Sequence, residues 1–270
     1  MTSRFDLQGK VAVVTGGYGV LGGSLAEALA EAGVKVAILG RDREKAERRV
    51  EALRKLGGEA RVLQASVLDE ADLRRARDEV VSAWGGVDVL VNAAGGNVAR
   101  ARTDKTLPFA MPFDAFDEVL RLNLHGTVYP TLIFGEAMAS RGKGSVINVS
   151  SMAALRPLKG VCGYSAAKAA IDNFTQWIAV ELARQCGPGL RANAIAPGFF
   201  VTTQNKALLV KEDGTPTDRG RSIIGRTPMG RFGEPAELHG AVLWLASDAA
   251  SFVTGIVIPI DGGFSADAGI

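Results

Sequence analysis

Short runs of apolar residues alternate with longer segments of helical period along the whole chain. Val11 to Val14 and Val34 to Leu39 contain almost no polar position, the pattern of strands buried on both faces. Arg61 to Ala65, Val87 to Val91, the run Ser145 to Val149 that Ser151 closes, Arg191 to Ile195 and Val257 to Ile260 extend the series to seven. Between them, amphipathic periodicity predicts helices over about Leu21 to Ala32, Arg43 to Leu56, Glu70 to Trp84, Phe113 to Ser140, a helix through Tyr164 to about Cys186, and Pro235 to Ser247. Strands and helices in strict alternation predict an α/β fold: a doubly wound parallel sheet of about seven strands with helices on both faces. No Pro/Ser-rich linker or repeat divides the chain, so residues 1–270 are expected to form one domain. Two stretches break the rhythm, 96–112 and 199–229. Both leave strand C-terminal ends, where a doubly wound sheet binds its ligands, so both are expected to border the site. Asp213-Gly214 marks a turn in the second.

Composition narrows the chemistry. With 31 basic and 29 acidic residues the formal charge is +2, so no long-range field recruits nucleic acid or a membrane surface. No apolar run approaches the roughly eighteen residues of a membrane span. The first residues do not resemble a signal peptide, and the two cysteines, Cys162 and Cys186, suit a reducing cytoplasm. The two histidines, His125 and His239, are too few for a metal site or a Ser-His-Asp triad, so no metal is expected.

The first strand runs into Thr15-Gly16-Gly17-Tyr18-Gly19-Val20-Leu21-Gly22 and then a helix. Gly17-x-Gly19-x-x-Gly22 therefore stands in the strand-turn-helix context in which glycines admit a pyrophosphate to a helix N-terminus. A dinucleotide is implied. An acidic residue at the end of the second strand would hold an adenosine ribose diol. Here Gly40 stands in that place and Arg41 follows, and a guanidinium can pair with a 2′-phosphate. NADP is expected, with NAD as the alternative. The other reading has Arg41 solvated or Asp42 turned in to the ribose.

Ser151, Tyr164 and Lys168 are the second constellation. Tyr164 and Lys168 are four apart and share a helix face, and Ser151 ends a strand. Together they can aim a hydroxyl, a phenol and an ammonium at one carbonyl oxygen whose carbon gains a hydride. A free phenol near pKa 10 is a poor base at neutral pH. A positive charge about 4 Å away, at an effective dielectric near 20, is worth roughly 4 kcal/mol. That is expected to lower the Tyr164 pKa by up to about three units.

Together these residues resemble the short-chain dehydrogenase/reductase family over essentially the full chain: T-G-G-Y-G-V-L-G at 15–22, N-A-A-G at 92–95, N-L at 123–124, Ser151, Y-S-A-A-K at 164–168 and P-G at 197–198. The commoner family turn has Gly where Val20 stands, and many members have Asp-Val where Ser66-Val67 stands beside the adenine. The resemblance implies a catalytic tetrad: Tyr164 as acid/base, Lys168 lowering its pKa and contacting the nicotinamide ribose, Ser151 on the substrate oxygen, and Asn123 anchoring a water. It implies cofactor contacts from Gly16, Gly17, Tyr18, Gly19, Val20, Leu21 and Gly22, from Arg41, Ser66 and Val67, and from Asn92, Ala93, Ala94 and Gly95. Tyr164, Lys168, Pro197, Gly198, Phe200 and Thr202 complete that set. It also implies a homotetramer that pairs the long helices near 113–140 and 163–186 and the last strands.

Within the family, the chain resembles the fructuronate reductases (D-mannonate oxidoreductases). The shared stretches include A-A-G-G-N at 93–97, A-A-L-R-P-L at 153–158, A-P-G-F-F-V-T-T-Q-N at 196–205 and T-P-M-G-R-F-G at 227–233. A sugar acid needs a cation and amides, and Asn97, Arg156, Gln204, Asn205 and Arg219 lie on segments leaving strand ends, with Ser151 on the keto oxygen. A gluconate 5-dehydrogenase or a 3-oxoacyl carrier-protein reductase is the alternative. A non-catalytic cofactor sensor is disfavoured, because all four tetrad positions are filled.

Overall fold

The computed structural model describes residues 3–104 and 106–267. Seven strands, β1 (Val11–Thr15), β2 (Lys35–Gly40), β3 (Ala60–Gln64), β4 (Val89–Asn92), β5 (Gly144–Val149), β6 (Leu190–Pro197) and β7 (Val257–Ile260), form one sheet. Their order is β3-β2-β1-β4-β5-β6-β7, and every pairing is parallel. The order reverses between β1 and β4, so a crevice opens beyond their C-terminal ends, where Thr15 pairs with Asn92.

Because side chains alternate along a strand, each unbroken apolar run feeds both faces of the sheet. Ala12, Val14, Val36, Ile38, Val89 and Val91 pack on one face against α1 (Val20–Glu31), α2 (Arg43–Lys55) and α10 (His239–Ala246). Val11, Val13, Ala37, Leu39, Leu90 and Val146 pack on the other against α3 (Glu70–Trp84), α5 (Gly126–Ala139) and α7 (Cys162–Glu181). Asp42 and Asp69 cap α2 and α3 by accepting from the Lys45 and Asp72 amides.

Two predicted elements differ in ways that matter for the site. The helix expected over Phe113 to Ser140 is α4 (Phe113–Leu120), one π turn (Arg121–His125) and then α5. The π turn carries Asn123, whose amide Nδ2 donates to the Val119 carbonyl at 2.8 Å and to the Gly96 carbonyl at 2.7 Å. A wide turn inside an α-helix is a local departure that helical periodicity does not register. The stretch 199–229 was expected to be irregular, yet it folds into two short helices, α8 (Lys206–Leu209) and α9 (Asp218–Gly225). Between them the Asp213-Gly214 turn forms as expected, with the Asp213 carboxylate accepting from the Thr215 amide and hydroxyl. A four-residue helix is too short to show a period, so α8 left no signal. The short α6 (Met152–Leu155) follows β5, with Ser151 as its N-cap. Among the described residues, no helix is long and apolar enough to cross a membrane.

Candidate active site

Ser151 just beyond the end of β5, Tyr164 and Lys168 on α7, and Asn123 in the π turn come from three separate parts of the chain and meet at the β4–β5 end of the sheet. Ser151 accepts from the Ala153 amide at 3.1 Å, which fixes its hydroxyl at the mouth of the strand. Tyr164 lies in the first turn of α7 and hydrogen-bonds the Ser151 hydroxyl. The Lys168 ammonium is buried (4% exposed), donates to the Val149 carbonyl at 2.7 Å and lies 5.6 Å from the Tyr164 ring centre. A Cβ added to Gly95 would stand 2.7 Å from Asn123 Oδ1 and 3.6 Å from Lys168 Nζ, so only glycine lets these groups converge.

A continuous buried chain of polar side chains fixes these elements relative to one another. Thr127 donates to the Asn123 carbonyl (2.9 Å) and Thr131 to the Thr127 carbonyl (2.7 Å). Asn92 of β4 donates to Thr131 (2.8 Å) and to Asn148 of β5 (2.9 Å). Asn148 donates to Thr175 (2.9 Å), which donates to the Ile171 carbonyl in α7 (2.7 Å).

The electrostatics differ from expectation. Burial pushes the Tyr164 phenol up, and the Ser151 hydrogen bond only partly offsets it. The expected lowering by Lys168 fails for a physical reason. Burial also penalises the ammonium and brings its pKa down to about 8, while its hydrogen bond goes to Val149. Asp172, one helical turn further on, opposes that fall with its charge. The Asp172 carboxyl is itself pushed up by burial, against a hydrogen bond from Ser150, and its Oδ1 is buried without a partner. Asp172 escaped the sequence reading, although an acid at the i+4 position from Lys168 on a mostly apolar helix is a visible signal.

The glycine turn fits a dinucleotide. A Cβ at Gly16 would come 2.8 Å from Ala94 Cα, and one at Gly22 would come 2.6 Å from the Gly16 carbonyl oxygen. Gly19 begins α1 with no side-chain cap, which leaves first-turn N–H groups of Val20, Leu21 and Gly22 facing the crevice mouth for an anion. Thr15 accepts from the Ala94 amide at 3.2 Å and ties that turn to the segment Asn92–Gly95. The Ser66 amide donates to the Asp72 carboxylate, and Val67 packs within 3.1 Å of a Cβ placed at Gly126. Pro197 ends β6, and the Gly198 amide donates to Ile260. Phe200 is buried against Gly233, and its carbonyl accepts from the Asn205 amide. The Thr202 amide donates to Asn205 at 2.7 Å.

The expected substrate residues separate into two groups. Gln204 overhangs Gly96, where an added Cβ would be 2.7 Å from its Oε1, and Asn97 Nδ2 is buried with no partner. Arg219 lies near Asp104, which is gripped by both ends of Arg102 (3.0 and 2.9 Å). By contrast, the Asn205 amide is committed at both ends, to Thr202 and to the Phe200 carbonyl (2.8 Å). Arg156 is exposed, with Nε on the Ser265 carbonyl at 3.0 Å. Arg41 is exposed, and Asp42 is paired with the Lys45 amide and ammonium (3.1 and 2.7 Å).

The family model described as enoyl-(acyl carrier protein) reductase matches residues 19–265. An uncharacterized oxidoreductase of Bacillus subtilis, UxuB, is 46% identical over 275 residues, with 98% of each chain covered. The chain belongs to the short-chain dehydrogenase/reductase family. A Haemophilus influenzae structure with bound NAD, provisionally named a D-mannonate oxidoreductase, is 40% identical with a TM-score of 0.91 over 98% of each chain. A Burkholderia cenocepacia gluconate 5-dehydrogenase in complex with NADP and tartrate is 34% identical with a TM-score of 0.86, again over 98% of each chain. The chain is an NAD(P)-dependent oxidoreductase of that family.

The charged and titratable groups facing Lys168 are Tyr164 and Asp172, both on its own helix. Asp172→Asn removes the charge that holds the ammonium pKa up. The Lys168 midpoint is then expected to fall further below about 8, read by NMR titration of the lysine side chain, while Asp172→Glu restores it. An unchanged midpoint in the Asn variant would show that Asp172 does not act on Lys168.

Proposed function

We propose that the protein reduces a keto-sugar acid, D-fructuronate to D-mannonate, with Tyr164 as the proton donor. The observation that carries this reading is the convergence of Ser151, Tyr164 and Lys168 beside Gly95, in a segment whose next residues are Gly96, overhung by Gln204, and Asn97, whose Nδ2 is buried without a partner. Ser151 and Tyr164 together hold a carbonyl oxygen. Burial keeps the phenol protonated, which suits delivery of a proton to that oxygen in the reductive direction. When bound at the glycine turn, the dinucleotide supplies the hydride. Lys168 places a positive charge beside the phenolate that forms. Asn123 spends its amide on Gly96 and Val119, so it positions the Gly95–Gly96 backbone, and any water is held by the main chain of the π turn.

The resemblance to the fructuronate reductases and the Haemophilus neighbour support the sugar-acid substrate. Asn97, Gln204, Arg219 and Arg156 are its candidate contacts, whereas Asn205 shapes the loop that carries Gln204. Loops 96–112 and 199–229 form the substrate side of the domain. Gluconate 5-dehydrogenase activity is the second reading, favoured by the Burkholderia neighbour. We place the enzyme in the cytoplasm.

A panel assay of D-fructuronate, 5-ketogluconate, fructose and an acetoacetyl thioester tests the substrate. The kcat/KM for D-fructuronate should exceed that for fructose about ten- to a hundredfold, the worth of one charge-assisted contact. Tyr164→Phe should lower kcat at least about a hundredfold with unchanged cofactor affinity. Preference for another substrate overturns the sugar-acid assignment. A Phe variant with near-normal turnover overturns the proton-donor role.

NADPH is the preferred cofactor on this reading, with the exposed Arg41 pairing with the 2′-phosphate. Arg41→Ala should weaken NADPH by about 1.5–3 kcal/mol and leave NADH unchanged, measured by calorimetry. Equal weakening of the two, or tighter NADH binding in the parent, rules it out.

The assembly is a homotetramer. Tyr129 and Leu132 on α5 and Trp177 and Val180 on α7 stand exposed and apolar on the two helices expected to pair. Light scattering at micromolar concentration should give four copies, and a monomer there would remove the proposal.

A further inference from the structure

The end of β2 lacks the side chain that would seat a ribose diol, and the reason lies in the glycine turn. Gly40 is buried and ends the strand. The ring of Tyr18, half-buried against the core on that face of the sheet, lies directly over it. A Cβ added at Gly40 would fall inside contact distance of Tyr18 Cε1 and only 3.0 Å from Cδ1 and Cζ. The atoms met are in the body of a ring, so relief requires the whole ring to leave Gly40.

The neighbouring acid is engaged at the start of α2. Asp42 caps α2 and is paired with Lys45 through both its amide and its ammonium. The strand end thus presents an aromatic ring, the exposed Arg41 and an occupied carboxylate.

We propose that Tyr18, laid over Gly40, is the specificity-determining residue for the dinucleotide: its ring occupies the space through which an acidic side chain at position 40 would reach a ribose diol. A diol-binding carboxylate therefore cannot be built at this strand end while Tyr18 keeps its place. The proposal rests on the reading that a dinucleotide lies with its pyrophosphate at the start of α1 and its adenosine toward β2. It is independent of whether Arg41 binds a 2′-phosphate.

The full-length chain and its Gly40→Asp, Tyr18→Ser and Tyr18→Ser/Gly40→Asp variants test it. NADH and NADPH dissociation constants are measured by calorimetry, and melting temperatures are measured without cofactor. An aspartate repels a 2′-phosphate whatever Tyr18 does, so the deciding quantity is NADH affinity itself. Gly40→Asp alone should melt several degrees below the parent and should not tighten NADH. The double variant should regain the melting temperature and bind NADH at least about tenfold tighter than Gly40→Asp. Gly40→Ala, which adds only the Cβ, covers the case in which the Asp variant does not fold. It should lower the melting temperature, and Tyr18→Ser should remove most of that loss. A Gly40→Asp variant that binds NADH as tightly as the double variant overturns the proposal, as does a Gly40→Ala variant that melts with the parent. A parent that binds neither dinucleotide overturns the pyrophosphate reading and the proposal with it, whereas a parent preferring NADH removes only the role given to Arg41.

Discussion

The site depends on a buried line of hydrogen bonds that crosses the middle of the sheet. Asn92 and Asn148 stand side by side on β4 and β5, and their amides reach Thr131 on α5 and Thr175 on α7. Polar side chains are costly in such a place unless they are paired, and the pairing is directional. Apolar packing alone would let α5 and α7 settle over a range of shifts against the sheet. The amides and hydroxyls restrict them to one. The π turn with Asn123 and the first turns of α7 with Tyr164 and Lys168 are thereby held beside the end of the strand that presents Ser151.

Charge is handled in the same manner. Buried Lys168 and partly buried Asp172 lie on one helix and are received by consecutive residues at the end of β5, Lys168 by the Val149 carbonyl and Asp172 by the Ser150 hydroxyl just beyond it. Burial works against the ionised form of both, and each supplies part of the field that keeps the other charged. The phenol of Tyr164 has no such partner charge in hydrogen-bonding range and remains protonated. A phenol that stays protonated beside a lysine of lowered pKa follows from desolvation more than from direct attraction.

The mouth of the crevice is assembled from loops that are joined to one another. The Thr103 amide donates to the Gly160 carbonyl at 3.1 Å, which links the loop after β4 to the one after β5. Gln204 leans over Gly96 from the segment after β6, and Gly96 itself has φ +147 and no room for a side chain beneath that amide. Selectivity for substrate on the proposed reading thus resides in three segments far apart in sequence, on a rigid floor.

Much of this was legible in the sequence. Unbroken Val/Ile/Ala runs specify strands covered on both faces, and their alternation with helices leaves a parallel, doubly wound sheet as the economical solution. The glycine turn and the Ser151, Tyr164, Lys168 spacing are local, so they could be read before any packing was known. Other features depend on partners distant along the chain. The π turn shares its helical period with its flanks and is marked out only by the Asn123 bonds to Gly96. Asn205 and Arg156 looked equally free in sequence, yet one is consumed by its own loop and the other lies on the Ser265 carbonyl. Asp42 looked able to reach a ribose, and Tyr18 looked like one more residue of a phosphate turn. Only the tertiary structure places Lys45 on the first and Gly40 under the second. Sequence carries periodicity and local chemistry, whereas the state of a charge or an amide depends on desolvation and on neighbours that only the folded chain brings near.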